Sequence, residues 1–180
     1  MLLSCLSNVA RCMGLKAELL KVLKVMGEVT HRMDLAEFAQ LVDLSADEVL
    51  QCIQDLAKTG YLKKSGGGYG ITAKGKAVLK AQLPVAEGLE FRFYLDFGKP
   101  AGAVAKSLKE FYEAVKAVDV ASLEFHVYRG DFANWVRDVL KDELLAEDFE
   151  DARQQELKGE GLRKRIVWLI DKNYDSAALR

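Results

Sequence analysis

Apolar side chains recur at helical spacing along most of this chain and alternate at strand spacing in a few short stretches. From Gly14 to about Met26, Leu15, Leu19, Leu20, Val22, Leu23 and Met26 form one apolar stripe, with Lys16, Lys21 and Lys24 on the wet side. That pattern predicts an amphipathic helix. Gly27-Glu28-Val29-Thr30 is expected to break it, with Val29 in a short strand. A second helix is expected over Leu35–Val42, burying Leu35, Phe38, Ala39 and Val42. A third is expected over Ala46–Thr59, burying Val49, Leu50, Ile53, Leu56 and Ala57. Ser45 with Glu48 has the spacing of a capping box, and Gly60 stands where a left-handed stop is wanted. Two short helices around Asp43-Leu44-Ser45 make a helix-turn-helix.

The period then changes. Tyr61–Ser65 and Tyr69–Thr72 read as strands on either side of Gly66-Gly67-Gly68, which predicts a β-hairpin. Thr72 is placed to cap a further short helix, over 72–80, with Ala77 and Val78 near the core. Leu83–Gly88 holds one of the chain's two prolines and reads as a linker.

Beyond it, Leu89, Phe91, Phe93, Leu95 and Phe97 alternate, predicting a strand with one buried face. Gly98–Gly102 reads as a turn, and Ser107–Val118 as a helix burying Leu108, Phe111, Tyr112, Val115 and Val118. Ala121–His126 fits either a strand or a helix opening at Ser122. Asp131 is expected to cap a helix through Leu140 that buries Phe132, Trp135, Val136 and Val139. Asp142 caps another with Leu144, Leu145 and Phe149 inward. A last helix covers about Gly161–Asp171, with Leu162, Ile166, Leu169 and Ile170 inward. The expected architecture is a helix-rich α+β chain: an arm over 1–13, a helix-turn-helix and hairpin domain over 14–83, a linker over 84–88, and a small α+β domain over 89–180.

Composition refines this picture only modestly. Of 180 residues, 50% are hydrophobic and 29% charged, which suits a globular chain rather than a disordered one. The net charge of −1 hides a mild asymmetry. Residues 1–83 hold 11 Lys and Arg against 8 Asp and Glu, and residues 84–180 hold 15 against 19. A front half of that sign permits nucleic-acid binding without demanding it. Cys5, Cys12 and Cys52 are odd in number and lack the C-x-x-C spacing of a metal or redox site, so neither a disulfide framework nor zinc is expected. A reducing cytoplasm fits. No apolar run is long enough to span a bilayer. The opening Met1–Ala10 has no basic n-region and too short an apolar part for a secretory leader. Leu3-Ser4-Cys5 stands too near the start for a lipoprotein cleavage box, and Met13 offers an alternative start.

Two resemblances rest on these residues. Leu44-Ser45, Val49, Ile53, Leu56–Leu62 and then Tyr69–Gly75 are together similar to the winged helix-turn-helix of archaeal and bacterial transcription regulators, over about residues 14–82. The resemblance implies a winged-helix fold and a duplex-DNA partner, and winged helices also serve as protein-docking modules. The stretches Ala105–Phe111, Ser122–His126 and Gly130–Ala146, with Asp131-Phe132-Ala133-Asn134-Trp135 at the centre, resemble an uncharacterised, mostly archaeal domain family over about residues 90–170. That second resemblance implies a domain boundary and no activity.

The outward positions of the third helix are Asp47, Glu48, Gln51, Gln54, Asp55 and Lys58, a poor face for phosphate. Gln51 and Gln54 are suited to reading base edges, with Ser45 and Lys58 at either end. Arg32, Lys63, Lys64 and Lys74 are the candidates for gripping the DNA backbone. The expected function is a DNA-binding transcription regulator whose second domain dimerises or senses a signal; the alternative is a protein-interaction module. The acidic residues from Asp138 to Asp151 lack the spacing of an EF-hand and read as a solvated face open to a basic protein partner. Arg163-Lys164-Arg165 beside Trp168 reads as an exposed helix face. His126, with Tyr128, Arg129, Asp131 and Asn134 close in sequence, has the residue types of an acid/base pair, but reads better as a hydrogen-bonded structural histidine. No catalytic residue, metal site, cofactor or membrane contact is expected.

Overall fold

A computed structural model describes residues 15–29, 33–174 and 179. The chain divides into two compact units, one reaching to Lys80 and one spanning Ala81–Leu179. The described residues form a helix-rich α+β protein with two small antiparallel sheets. No described helix is long and apolar enough to cross a membrane.

The first unit contains α1 (Ala17–Glu28), α2 (Leu35–Val42), α3 (Ala46–Lys58), β1 (Leu62–Ser65) and β2 (Gly68–Ile71), followed by α4 (Ala73–Gln82) across the division. Asp34 caps α2 by accepting from the Glu37 N–H at 2.9 Å. Asp43 ends α2 in the left-handed region (φ 54°), a conformation an Asp side chain tolerates better than most. Ser45 and Glu48 close the capping box at the start of α3, each answering the other's backbone N–H. Val49, Cys52 and Leu56 face the core with Val22 and Leu23 of α1. Leu50, expected inside, lies 43% exposed, because it sits at the margin of the apolar arc that α1 and α2 cover.

Gly27 does not break α1, which runs through it to Glu28. A Cβ at Gly27 would lie 2.7 Å from Leu79 Cδ1, so tertiary packing against α4 outweighs glycine's poor helix propensity. Val29 is the extended C-cap of that helix rather than a strand residue. The hairpin pairs Leu62 with Ile71 and Ser65 with Gly68 around a turn of Gly66 and Gly67, both at positive φ, as a type I′ turn requires. Thr72 accepts from the Gly75 N–H and donates to the Gly60 carbonyl, tying α4 to the end of α3.

The second unit packs a hairpin, β3 (Phe91–Asp96) and β4 (Lys99–Ala105), against α5 (Leu108–Ala117), α6 (Val120–Arg129), α7 (Asp131–Asp138), α8 (Glu143–Gln154) and α9 (Gly159–Asn173). The segment 98–102, read above as a turn, is mostly strand; only Phe97 and Gly98 turn the chain. Pro100 and Gly102 disguise β4, and the pairing tolerates them through irregularities on either side of Tyr94, which opposes Pro100. The stretch 121–126 is helical. Its N-cap is Asp119, which accepts from the Ala121 N–H.

The core is aromatic. Phe111 stacks on Trp135 at 5.1 Å and meets Phe91 and Phe132 edge-on at 5.4 and 4.8 Å. Phe93 and Phe149 complete the cluster. Arg163 of α9 donates to the Val115 and Val118 carbonyls at the end of α5, satisfying acceptors that the helix itself leaves open. Three apolar expectations fail here. Phe97 is 76% exposed at the hairpin tip, Leu89 precedes the strand and is 48% exposed, and Leu144 faces solvent at 71% because Leu145 and Phe149 carry the inward stripe of α8.

Candidate functional site

On the first unit, the residues expected to meet DNA are only partly available. Ser45 spends its hydroxyl on Glu48, at 2.7 Å. Gln51 donates to Asp55 at 3.1 Å, and Lys58 approaches the same carboxylate oxygen at 3.5 Å. Lys74 donates to the Thr59 carbonyl at 2.9 Å and lies 4.5 Å over the Tyr61 ring, so it fastens α4 to α3. Gln54, Lys63 and Lys64 are exposed, the two lysines on β1. Arg32 lies outside the described residues. The Glu48 carboxyl is held below the usual carboxylate range by the Ser45 hydroxyl and backbone N–H, and with Asp47 it makes α3's first turn acidic.

The second unit carries a concave site that sequence reasoning missed. An open cleft of about 550 Å³ runs beside β3 and α6. Its floor is built around His126, which is 3% exposed. The Nδ1–H of His126 donates to Asp131 Oδ2 at 2.8 Å, and Nε2 accepts from the Tyr94 backbone N–H at 2.8 Å. The second bond assigns the tautomer: Nε2 must offer a lone pair, so the proton sits on Nδ1 and the ring is neutral. Burial pushes the His126 pKa down, and the pull of Asp131 in the other direction does not cancel it.

Asp131 is therefore not the helix cap expected above. Gly130, at φ 78°, ends α6 and precedes α7, and Asp131 in the first turn turns its carboxylate back to His126. The same Oδ2 accepts from Arg129 Nε at 3.1 Å. The Arg129 guanidinium lies 4.5 Å from the Phe97 ring and 4.9 Å from that of Phe125. Trp135 donates its indole N–H to the Leu89 carbonyl at 2.8 Å. Of the group noted in the sequence, the structure brings His126, Arg129 and Asp131 together. Tyr128 instead donates to the Leu157 carbonyl, and Asn134 lies exposed on α7. With both ring nitrogens engaged, His126 has no lone pair to take a substrate's proton. Among the described residues, no three His, Cys, Asp or Glu side chains converge as a metal site would need.

The model of a family of unknown function, DUF5752, matches residues 88–179, just over half of the chain. The chain belongs to the DUF5752 family. No curated protein and no solved structure matches it. The DUF5752 domain thus contains the whole aromatic core of the second unit, the His126–Asp131 pair and the cleft above them. The matched region includes the Asp131–Trp135 motif, whose residues now have physical roles. Asp131 fixes the histidine, Phe132 and Trp135 build the core, and Ala133 is buried beside them. The signal that could have revealed the cleft was the spacing of His126, Arg129 and Asp131 around Gly130, a helix break that lets residues from two helices converge.

Proposed function

We propose that the first unit is a winged helix-turn-helix that contacts duplex DNA, that the protein is a transcription regulator, and that the DUF5752 domain serves dimerisation or signal sensing. The observation that carries the reading is the hairpin directly after α3. It has a Gly66–Gly67 turn that can approach a phosphate backbone closely, and exposed Lys63 and Lys64 on its first strand. In this reading the hairpin is the wing and α3 lies in the major groove, with Gln54 free to meet a base edge. The lysines of the wing then supply the sequence-independent affinity that α3 lacks.

A second reading is favoured by α3 itself. Asp47, Glu48 and Asp55 outnumber Lys58 on that helix, and Gln51 is tied to Asp55. Such a surface suits a basic protein partner. Binding of the full chain to a random-sequence duplex at low and moderate salt separates the two. The DNA reading expects binding that weakens steeply with salt. Lys63→Ala with Lys64→Ala should weaken it evenly across sequences and lower the salt slope by about 2, one for each phosphate no longer neutralised. Absence of binding at low salt would leave the protein-docking reading.

A further inference from the structure

We propose that the cleft beside β3 and α6 binds a small organic anion, a carboxylate, sulfonate or phosphate group carried on an aromatic body. The proposal concerns the DUF5752 domain and stands whether or not the first unit binds DNA. At about 550 Å³ the cleft lies within the range of small-molecule sites, roughly 300–1,000 Å³.

The polar groups that line the cleft set what it can hold. Each of its three acids accepts from the protein: Asp131 Oδ2 from His126 and Arg129, Asp96 Oδ1 from the Phe97 backbone N–H at 2.7 Å, and Glu90 from its own N–H and that of Gly88. His126 has both nitrogens engaged. The same lining holds two guanidinium groups with donors to spare. Arg129 uses Nε on Asp131, while its terminal nitrogens make no hydrogen bond among the described residues. Arg92 is 61% exposed and stands 3.8 Å from Glu90, beyond hydrogen-bonding distance.

Arg129 is also pre-set. Two rings and a carboxylate hold its guanidinium, so little rotamer freedom remains to be lost when a ligand arrives. A guanidinium matches a planar oxyanion through paired N–H bonds. Phe97 and Phe125 supply a wall against which an aromatic body can lie, and Phe97 is left 76% exposed without a ligand. A ligand of this class would give the sensing role a chemistry.

The test uses the full chain and the fluorescent aromatic sulfonate 8-anilinonaphthalene-1-sulfonate. The expected result is saturable binding that benzoate displaces, with NMR shifts at the Trp135 indole N–H and the Arg129 Nε–H. Arg92→Gln should weaken the dye's affinity about tenfold, as loss of one charge-assisted hydrogen bond implies. Arg129→Gln should weaken it further. Since Arg129 also steadies Asp131, Arg92→Gln is the variant that leaves the packing of the cleft intact. Equal affinity in the wild type and Arg92→Gln, or dye-induced shifts confined to residues outside the cleft, would overturn the proposal.

Discussion

Removing the imidazole of His126 should be among the most damaging single changes in the DUF5752 domain. The ring joins α6 to β3 through the Tyr94 N–H and to α7 through Asp131. It also packs parallel to Phe132 at 5.8 Å and edge-on to Phe91 at 4.9 Å. In His126→Ala the Tyr94 N–H loses its partner, at a cost of about 1–3 kcal/mol. Asp131 keeps Arg129 and is 28% exposed, so its loss falls at or below the low end of that range. A cavity where the ring stood adds about 1–2 kcal/mol more. The expected destabilisation is therefore about 3–5 kcal/mol, a large fraction of the roughly 5–15 kcal/mol that holds a domain together. Urea unfolding followed by tryptophan fluorescence reads it, since the Trp135 indole is 8% exposed in the core while Trp168 already meets solvent at 51%. His126→Phe restores volume without the hydrogen bonds and should recover only the cavity part. A loss below about 1 kcal/mol in His126→Ala would show that the two hydrogen bonds do not secure β3, and the account of the cleft floor would fail.

The same histidine sets a pH dependence. Its folded pKa is lowered, chiefly by burial, so near its titration the unfolded chain binds more protons than the folded one. Its contribution is complete above the unfolded value, about 6.5, and is lost as pH falls through the lower folded value. Thermal melts across that window should show a decline that His126→Phe removes; an identical decline in the variant would assign it to other groups. In the first unit, Gly75→Ala should destabilise by about 1–3 kcal/mol, because the new Cβ would stand 2.5 Å from the Tyr61 carbonyl oxygen. An unchanged urea midpoint would mean that α4 can move away from the hairpin without cost.

The chain's own pattern determined most of what local physics can determine. The helical stripes of α2, α3 and α9 placed those elements within a residue or two, because capping residues and apolar spacing act over one or two turns. Ser45 with Glu48, and Asp142 ahead of α8, were legible because a cap needs only its own neighbours. Local rules failed where distant segments decided. Gly27 stays helical because Leu79 packs on it, and β4 forms through Pro100 and Gly102 because β3 lies beside it. Asp131 looked like a cap in sequence. Only the fold could show that Gly130 turns the chain so that its carboxylate meets His126, and that Tyr94, 32 residues earlier, supplies the other bond. The residue types of the cleft were visible from the start. Their use was not, since whether an arginine is spent on a carboxylate or left to meet a ligand depends on neighbours that only the tertiary structure brings within reach.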